Sequence, residues 1–367
     1  MQKNNVSKAS QRLGYVDAIR GIAAILVIYF HVGVDSLREG SLGAFETYAF
    51  TIWTQWLDLG KIAVTMFFAV SGFVVPYSLL RSRTSPVRDF IVGRFFRLYP
   101  AYWMSIPFGI LAYNSLHPTP IDIVTVLGNI TMFQQFIGIE NIIGVYWTLQ
   151  IELIFYFICV LLFVAGLLRS NAAVFWTAIT MLGFALLLAS ARYVTGKGFP
   201  VALGLAMAVM YFGLLWRRNV LENDISSRKK CIWFLVIFSL SLPLISWLGY
   251  GSLWLRYIAT YYVAIIAFML LTTKLRLNSP VLVYLGAISY SVYLFGPPCT
   301  SFVVWVLPHG LGGEIHAHLI AIVSIILTIC VSSVVYKFVE KPSVRLGRRV
   351  IKRLETTQSA SSSNASV

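Results

Sequence analysis

The chain has 367 residues, of which 58% are hydrophobic and only 12% charged. Soluble domains carry about 25% charged residues, so the composition excludes a soluble globular protein and indicates a polytopic membrane protein. The net charge of +15 is unevenly distributed, which bears on membrane topology and not on nucleic acid binding.

Residues 1–13 are polar and basic, with Lys3, Lys8 and Arg12. Bilayer-length apolar windows then predict about ten spanning helices. They fall at 15–34, 61–80, 96–115, 146–168, 173–191, 199–216, 231–248, 254–272, 282–306 and 316–338. The expected fold is all-α, with a transmembrane body over 14–348 embedded in the lipid bilayer. The first span lacks a small-residue cleavage site and reads as a retained helix, not a signal peptide. Residues 44–59 are aromatic but short and read as an interfacial lead-in to the second span. Residues 121–143 are apolar yet contain Asp122, Asn129, Gln134, Gln135 and Glu140, which fits an extracytoplasmic or re-entrant segment. Residues 349–367 read as a cytoplasmic tail, disordered from Thr356 onward by its Ser/Thr/Ala/Asn content. No soluble second domain, inverted repeat or glycine-rich phosphate loop is expected.

With a cytoplasmic N-terminus, all but five of the 29 lysines and arginines fall on the inside. The exceptions are Arg38, Lys61, Arg192, Lys197 and Arg256. An even number of helices returns both termini to the cytoplasm, as this bias demands. Cys159, Cys231, Cys299 and Cys330 show neither disulfide nor zinc-ligand spacing. His309, His316 and His318 form a His-rich loop without a third ligand, so no metal is expected.

His31 is an ionisable residue near the outer end of the first span, and such residues are costly in a membrane. Arg20, eleven residues earlier, shares its helix face and stands about 16 Å inward. Counting from helix ends, His31 and Glu152 reach similar depth in the outer leaflet. They form a candidate general-base pair, with Asp35 as an alternative partner one turn beyond His31. A His–Glu pair that only joins helices is the competing reading. Arg94 and Arg97, at i, i+3 spacing, share a face at the cytoplasmic mouth of the third span. Two guanidinium forks suit a phosphate, and headgroup anchoring is the alternative. Ser71 and Gly72 would let a helix or a ligand approach closely.

These segments together resemble the acyltransferase-3 family of integral membrane acyltransferases. The resemblance rests on Arg20-Gly21-Ile22-Ala23-Ala24 with His31, on Phe67-Phe68-Ala69-Val70-Ser71-Gly72-Phe73, and on Arg94-x-x-Arg97-Leu98-Tyr99-Pro100. It continues through Trp147-Thr148-Leu149 with Glu152, Phe155 and Tyr156, then Leu285–Leu294, and ends at Val339-Glu340-Lys341-Pro342. The chain departs at Gly296-Pro297-Pro298, where many relatives carry a second histidine.

The resemblance implies an enzyme of a bacterial inner membrane. It implies transfer of an acyl group, usually acetyl from acetyl-CoA, to a hydroxyl of an extracytoplasmic glycan or lipid-linked sugar. Acyl-CoA is then a donor substrate, with no tightly bound cofactor. Arg20, Arg94 and Arg97 would hold its phosphates, and its pantetheine arm would follow the first helix to His31. His31 would act as general base or carry the acyl group, supported by Glu152. Ser71, Trp147 and Asp35 are candidate substrate contacts. The competing class is a proton-coupled transporter of a glycan or related metabolite, since a membrane His and Glu also make a proton relay.

Overall fold

The computed structural model describes residues 13–39, 44–81, 85–116, 120–311 and 317–364. The basic N-terminal residues 1–12, His316 and the end of the tail, 365–367, lie outside them, as does the side chain of His309.

The described chain is helical, and a helix appears in order at each of the ten expected positions. They are α1 (Gly14–Glu39), α3 (Leu59–Val74) with its short extension α4 (Pro76–Arg81), and α5 (Pro86–Leu116). Then come α7 (Tyr146–Val164), α8 (Asn171–Thr195), α9 (Val201–Glu222), α10 (Ile225–Tyr250), α11 (Trp254–Thr273), α12 (Pro280–Leu311) and α13 (Ala317–Val335). Two short helices, α2 (Ala44–Thr51) and α6 (Ile123–Ile130), fill the connections, and α14 (Lys341–Asn364) closes the chain. Among the described residues, eight stretches are long and apolar enough to cross a membrane, and one of them, Ile225–Thr273, holds both α10 and α11. The protein is therefore polytopic. The helix α5 is long enough but less apolar, with Arg88, Asp89, Arg94 and Arg97 in its first half.

At two crossings, paired glycines bring helix backbones into contact. At the first, Gly21 of α1 faces the Leu282 carbonyl, and Gly286 of α12 faces the Asp17 carbonyl. At the second, Gly72 of α3 faces the Met210 carbonyl, and Gly213 of α9 faces the Ala69 carbonyl. Each glycine sits on a carbonyl one turn before the partner glycine, so a side chain at any of the four would collide with backbone. Association by close packing of small residues is the expected device in lipid, where hydrophobic exclusion between helices is weak.

Three charged residues of the outer half form one cluster. Asp58 is fully buried and caps α3, accepting from the Lys61 backbone N–H at 2.9 Å. Its Oδ2 also meets Lys61 Nζ at 3.0 Å and Arg256 of α11 at 2.6 Å. Lys61 and Arg256, two of the five basic residues assigned to the outside, thus neutralise one buried acid.

Three expectations change. The third helix begins at Pro86, a residue suited to the first helical position, and not near 96. Arg94 and Arg97 therefore lie two to three turns inside it. Residues 356–364, expected to be disordered, continue α14. There Thr356 and Thr357 hydroxyls donate to carbonyls four residues back. The cause is that α14 extends a helix already formed upstream, so no new nucleation is needed.

The third change concerns depth. Residues 120–145, within which the sequence offered an extracytoplasmic or a re-entrant segment, pack inward beside α5, so α7 starts lower than expected. The Tyr102 hydroxyl donates to the Asn129 carbonyl at 2.6 Å and the Trp103 indole to the Ile130 carbonyl at 2.9 Å. The buried Asn129 amide joins the two limbs of the segment, donating to the Thr125 and Glu140 carbonyls and accepting from the Ile142 N–H. This is the re-entrant arrangement: non-helical backbone held against protein. In consequence α7 starts beside Ser105, whose hydroxyl bonds the Tyr146 hydroxyl at 2.7 Å. That is eleven residues, or about 16 Å, short of the outer end of α5.

Gly286→Ala and Gly72→Ala should each destabilise the protein by about 1–3 kcal/mol through overpacking. Gly183→Ala, on α8 with open space around it, should be neutral or stabilising by up to about 1 kcal/mol. Thermal unfolding in detergent compares the three.

Candidate active site

A cavity of about 890 Å³ lies among α1, α3, α5, α7, α12 and α14. Its lining is charged although its walls belong to membrane helices. From α1 come Asp17 and Arg20, from α5 Arg94 and Arg97, and from α7 Glu152. Ser71 enters from α3, directly before the glycine that touches α9. Glu340 closes one side, carried on a single π-helical turn (Tyr336–Glu340) that joins α13 to α14.

The deep cations are each engaged. Arg97 NH1 lies 3.8 Å from Glu340 Oε1. Glu340 is only 1% exposed, and its other oxygen accepts from the Ser291 hydroxyl at 3.0 Å. Arg20 NH1 is 4.0 Å from Asp17 Oδ1. Arg94 donates to the Ser78 hydroxyl at 3.2 Å, and its guanidinium sits 5.3 Å from the ring centres of both Phe90 and Tyr156. Glu152 accepts from the Ser71 hydroxyl at 3.4 Å and from the Tyr156 hydroxyl. Three arginines thus share a site with three carboxylates. The wall behind them is made by Tyr290, which donates to the Leu98 carbonyl at 2.8 Å, and Tyr293, bonded to the Thr148 hydroxyl at 2.7 Å.

The cavity brings together Arg20, Arg94, Arg97, Ser71 and Glu152. His31, Asp35 and Trp147 are not among its lining residues. His31 is half-buried on α1, with the Phe30 ring edge-on at 5.7 Å. Trp147 stands behind the wall, edge-on to Phe68 at 6.4 Å. Asp35 is half-buried one turn beyond His31.

The expected pairing of His31 with Glu152 at one depth is not what the helices produce. Gly60 of α3 packs on Phe30. Ser71 lies eleven residues along α3 from that contact, about 16 Å further in. Glu152, bonded to Ser71, therefore stands level with Arg20 and about three turns inward of His31. The early dip before α7 is the cause, because it starts that helix deep in the bilayer. Gly72 serves helix packing, whereas its neighbour Ser71 faces the cavity.

Sequence reasoning gave no individual role to Glu340, although it is a lone acid at the end of an apolar span, which is itself a signal. It also missed Asp17, and it counted Arg345 and Arg348, both in the lining, only as topological charges.

The family described as "Acyltransferase domain" matches residues 13–337. The O-acetyltransferase OatA of Staphylococcus aureus (strain NCTC 8325 / PS 47) is 25% identical over 359 residues, covering 86% of this chain and 57% of that protein. A second S. aureus protein (strain COL), named only provisionally as an O-acetyltransferase, is 23% identical over 92% of this chain and 58% of its own length. The chain thus spans somewhat more than half the length of these relatives. No solved structure matches it.

Arg97→Ala should leave the Glu340 carboxylate buried without its cation and destabilise the fold on the order of 3 kcal/mol. Adding Glu340→Gln should recover part of that loss. Unfolding of both single variants and the double variant measures the coupling, and additive losses would show that the pair is not one unit.

Proposed function

Because the chain belongs to the acyltransferase-3 family, we propose that it transfers an acetyl group from cytoplasmic acetyl-CoA to a sugar hydroxyl outside the membrane. The observation that carries this reading is a guanidinium-lined cavity within membrane helices, on the same α1 face that leads outward to His31. Such a cavity suits an elongated anionic donor, because planar guanidinium forks match phosphate oxygens. In this reading Arg20, Arg94 and Arg97 hold the diphosphate, and the pantetheine arm follows α1 outward over about 16 Å. The thioester then meets the acceptor beside His31. The names of the S. aureus relatives, both O-acetyltransferases, support oxygen as the acceptor atom.

The step needs one base. His31 takes the proton of the acceptor hydroxyl as its oxygen attacks the thioester carbonyl. The new C–O bond forms, the C–S bond breaks, and the proton passes to the departing thiolate. Glu152 is a positioning residue here. Held by hydrogen bonds from the Ser71 and Tyr156 hydroxyls, its carboxylate offsets the repulsion among the three arginines in a low-dielectric site.

Membranes containing the protein should transfer label from radiolabelled acetyl-CoA into alkali-labile esters on envelope glycan. His31→Ala should lower that rate by at least about 100-fold while leaving CoA binding intact. Glu152→Gln should instead act chiefly on donor affinity. Label transfer that survives His31→Ala unchanged would remove the proposed base.

Sidedness gives a separate test. Inverted vesicles should consume added acetyl-CoA without permeabilisation, and sealed right-side-out vesicles should not, because the basic residues proposed to hold the donor fall on the cytoplasmic side of the charge distribution. Equal consumption by both preparations would reverse the assigned orientation.

A further inference from the structure

The charge of the cavity is not uniform. The deep arginines Arg20, Arg94 and Arg97 share it with Asp17, Glu152 and Glu340, one acid for each cation. Four further cations line it without any such balance: Arg81 at the end of α4, and Lys341, Arg345 and Arg348 on α14. Among the described residues none of these four takes part in an ion pair. All four side chains are exposed. The excess positive charge of the site therefore lies entirely with them.

The three cations on α14 are placed together. Positions 341, 345 and 348 follow i, i+4, i+7 spacing and fall on one helix face. The base of that helix is anchored to the deep site, since Glu340 immediately precedes it and meets Arg97. Gly347 of α14 packs against Phe96 of α5, next to Arg97. The face is thus held in register with the deep arginines and is not a free tail. Arg349 and Arg353, on the adjoining face, do not line the cavity.

We propose that Arg81, Lys341, Arg345 and Arg348 form a second anion subsite that takes a terminal phosphomonoester, the 3′-phosphate on the ribose of the CoA donor. This rests on the acyl-CoA reading above and extends it. A phosphomonoester carries close to two negative charges at neutral pH, about −1.5 to −2, more than a diester group of the same size. It lies on the nucleotide side of the diphosphate, away from the pantetheine arm. The order along the donor then matches the order along the cavity. The phosphomonoester meets the four unbalanced cations, the diphosphate the three balanced ones, and the thioester arm continues along α1. The subsite makes the protein selective for CoA over carriers that end in a bare diphosphate or pantetheine. The same cations could instead hold the phosphate of an anionic lipid headgroup, and the test separates the two sources.

The experiment is calorimetric titration of the full chain in phosphatidylcholine nanodiscs with CoA and with 3′-dephospho-CoA. Wild-type protein should bind CoA at least about tenfold tighter, the scale of a charge-assisted contact. Arg345→Ala with Arg348→Ala should weaken CoA by about tenfold and dephospho-CoA by less than about twofold. Arg349→Ala with Arg353→Ala, on the same helix, should change neither, which excludes a general loss of α14. Equal wild-type affinity for both ligands would overturn the subsite while leaving the acyl-CoA reading standing. So would an equal loss of both in the Arg345/Arg348 variant. If that variant loses only its capture of phosphatidylglycerol in mixed-lipid nanodiscs, with CoA affinity unchanged, the cations serve lipid and the proposal falls. Failure of both ligands to bind wild-type protein would overturn the donor reading itself.

Discussion

Where α1 crosses α12, Gly21 lies on the Leu282 carbonyl and Gly286 on the Asp17 carbonyl. Nothing larger than hydrogen fits at either position, so the two backbones touch. The contact has a direct consequence for chemistry. Asp17 and Arg20 occupy the turn of α1 just before the crossing, and Ala287, Ser289 and Tyr290 the turn of α12 just after it, and all of them line the cavity. The Gly72–Gly213 crossing does the same for α3, delivering Ser71 to the opposite wall. Packing of this kind is tight at a point and divergent beyond it. Two such points, one on each side, leave a wedge of space between helix pairs, and the polar side chains occupy that wedge.

Charge inside a bilayer must be compensated locally. The protein meets this requirement in two ways. In the outer half Asp58 is fully buried and met directly by Lys61 and Arg256, at 3.0 and 2.6 Å. In the cavity the compensation is looser. Arg97 and Glu340 stand 3.8 Å apart, Arg20 and Asp17 4.0 Å apart, and the arginine side chains remain 30% and 23% exposed. Cations held at that distance from their acids can exchange one anionic partner for another, which suits the acyl-CoA site proposed above.

The segment before α7 links the outer surface to the inner site. Its polar residues look ill-suited to a membrane, yet Asn129 joins the two limbs of the segment through three hydrogen bonds, and Gln134 and Gln150 both donate to Asn141. Folded in this way, the segment can sit against α5 well below its outer end. Every residue of α7 is lowered with it. Glu152 is thereby carried away from the level of His31 and into the arginine cluster, where Ser71 and Tyr156 hold it.

Much of this was legible in the chain itself. Apart from α5, whose first half is charged, the long helices follow from stretches of apolar residues, because bilayer thickness is a fixed length that each helix must match. That Arg94 and Arg97 share a face follows from their spacing, and that Gly72 packs tightly follows from residue size. Depth was not legible. Placing Glu152 required knowing where α7 starts in the membrane, which depends on hydrogen bonds between residues 120–145 and α5, far apart in sequence. The balance of charge was equally hidden, since Glu340 follows Arg97 by more than two hundred residues and meets it only because a π-helical turn brings the end of α13 against α5. Local spacing determined which helices form and which side chains share a face. Contacts between distant segments decided which of those faces meet, because relative depth is set by packing and not by periodicity.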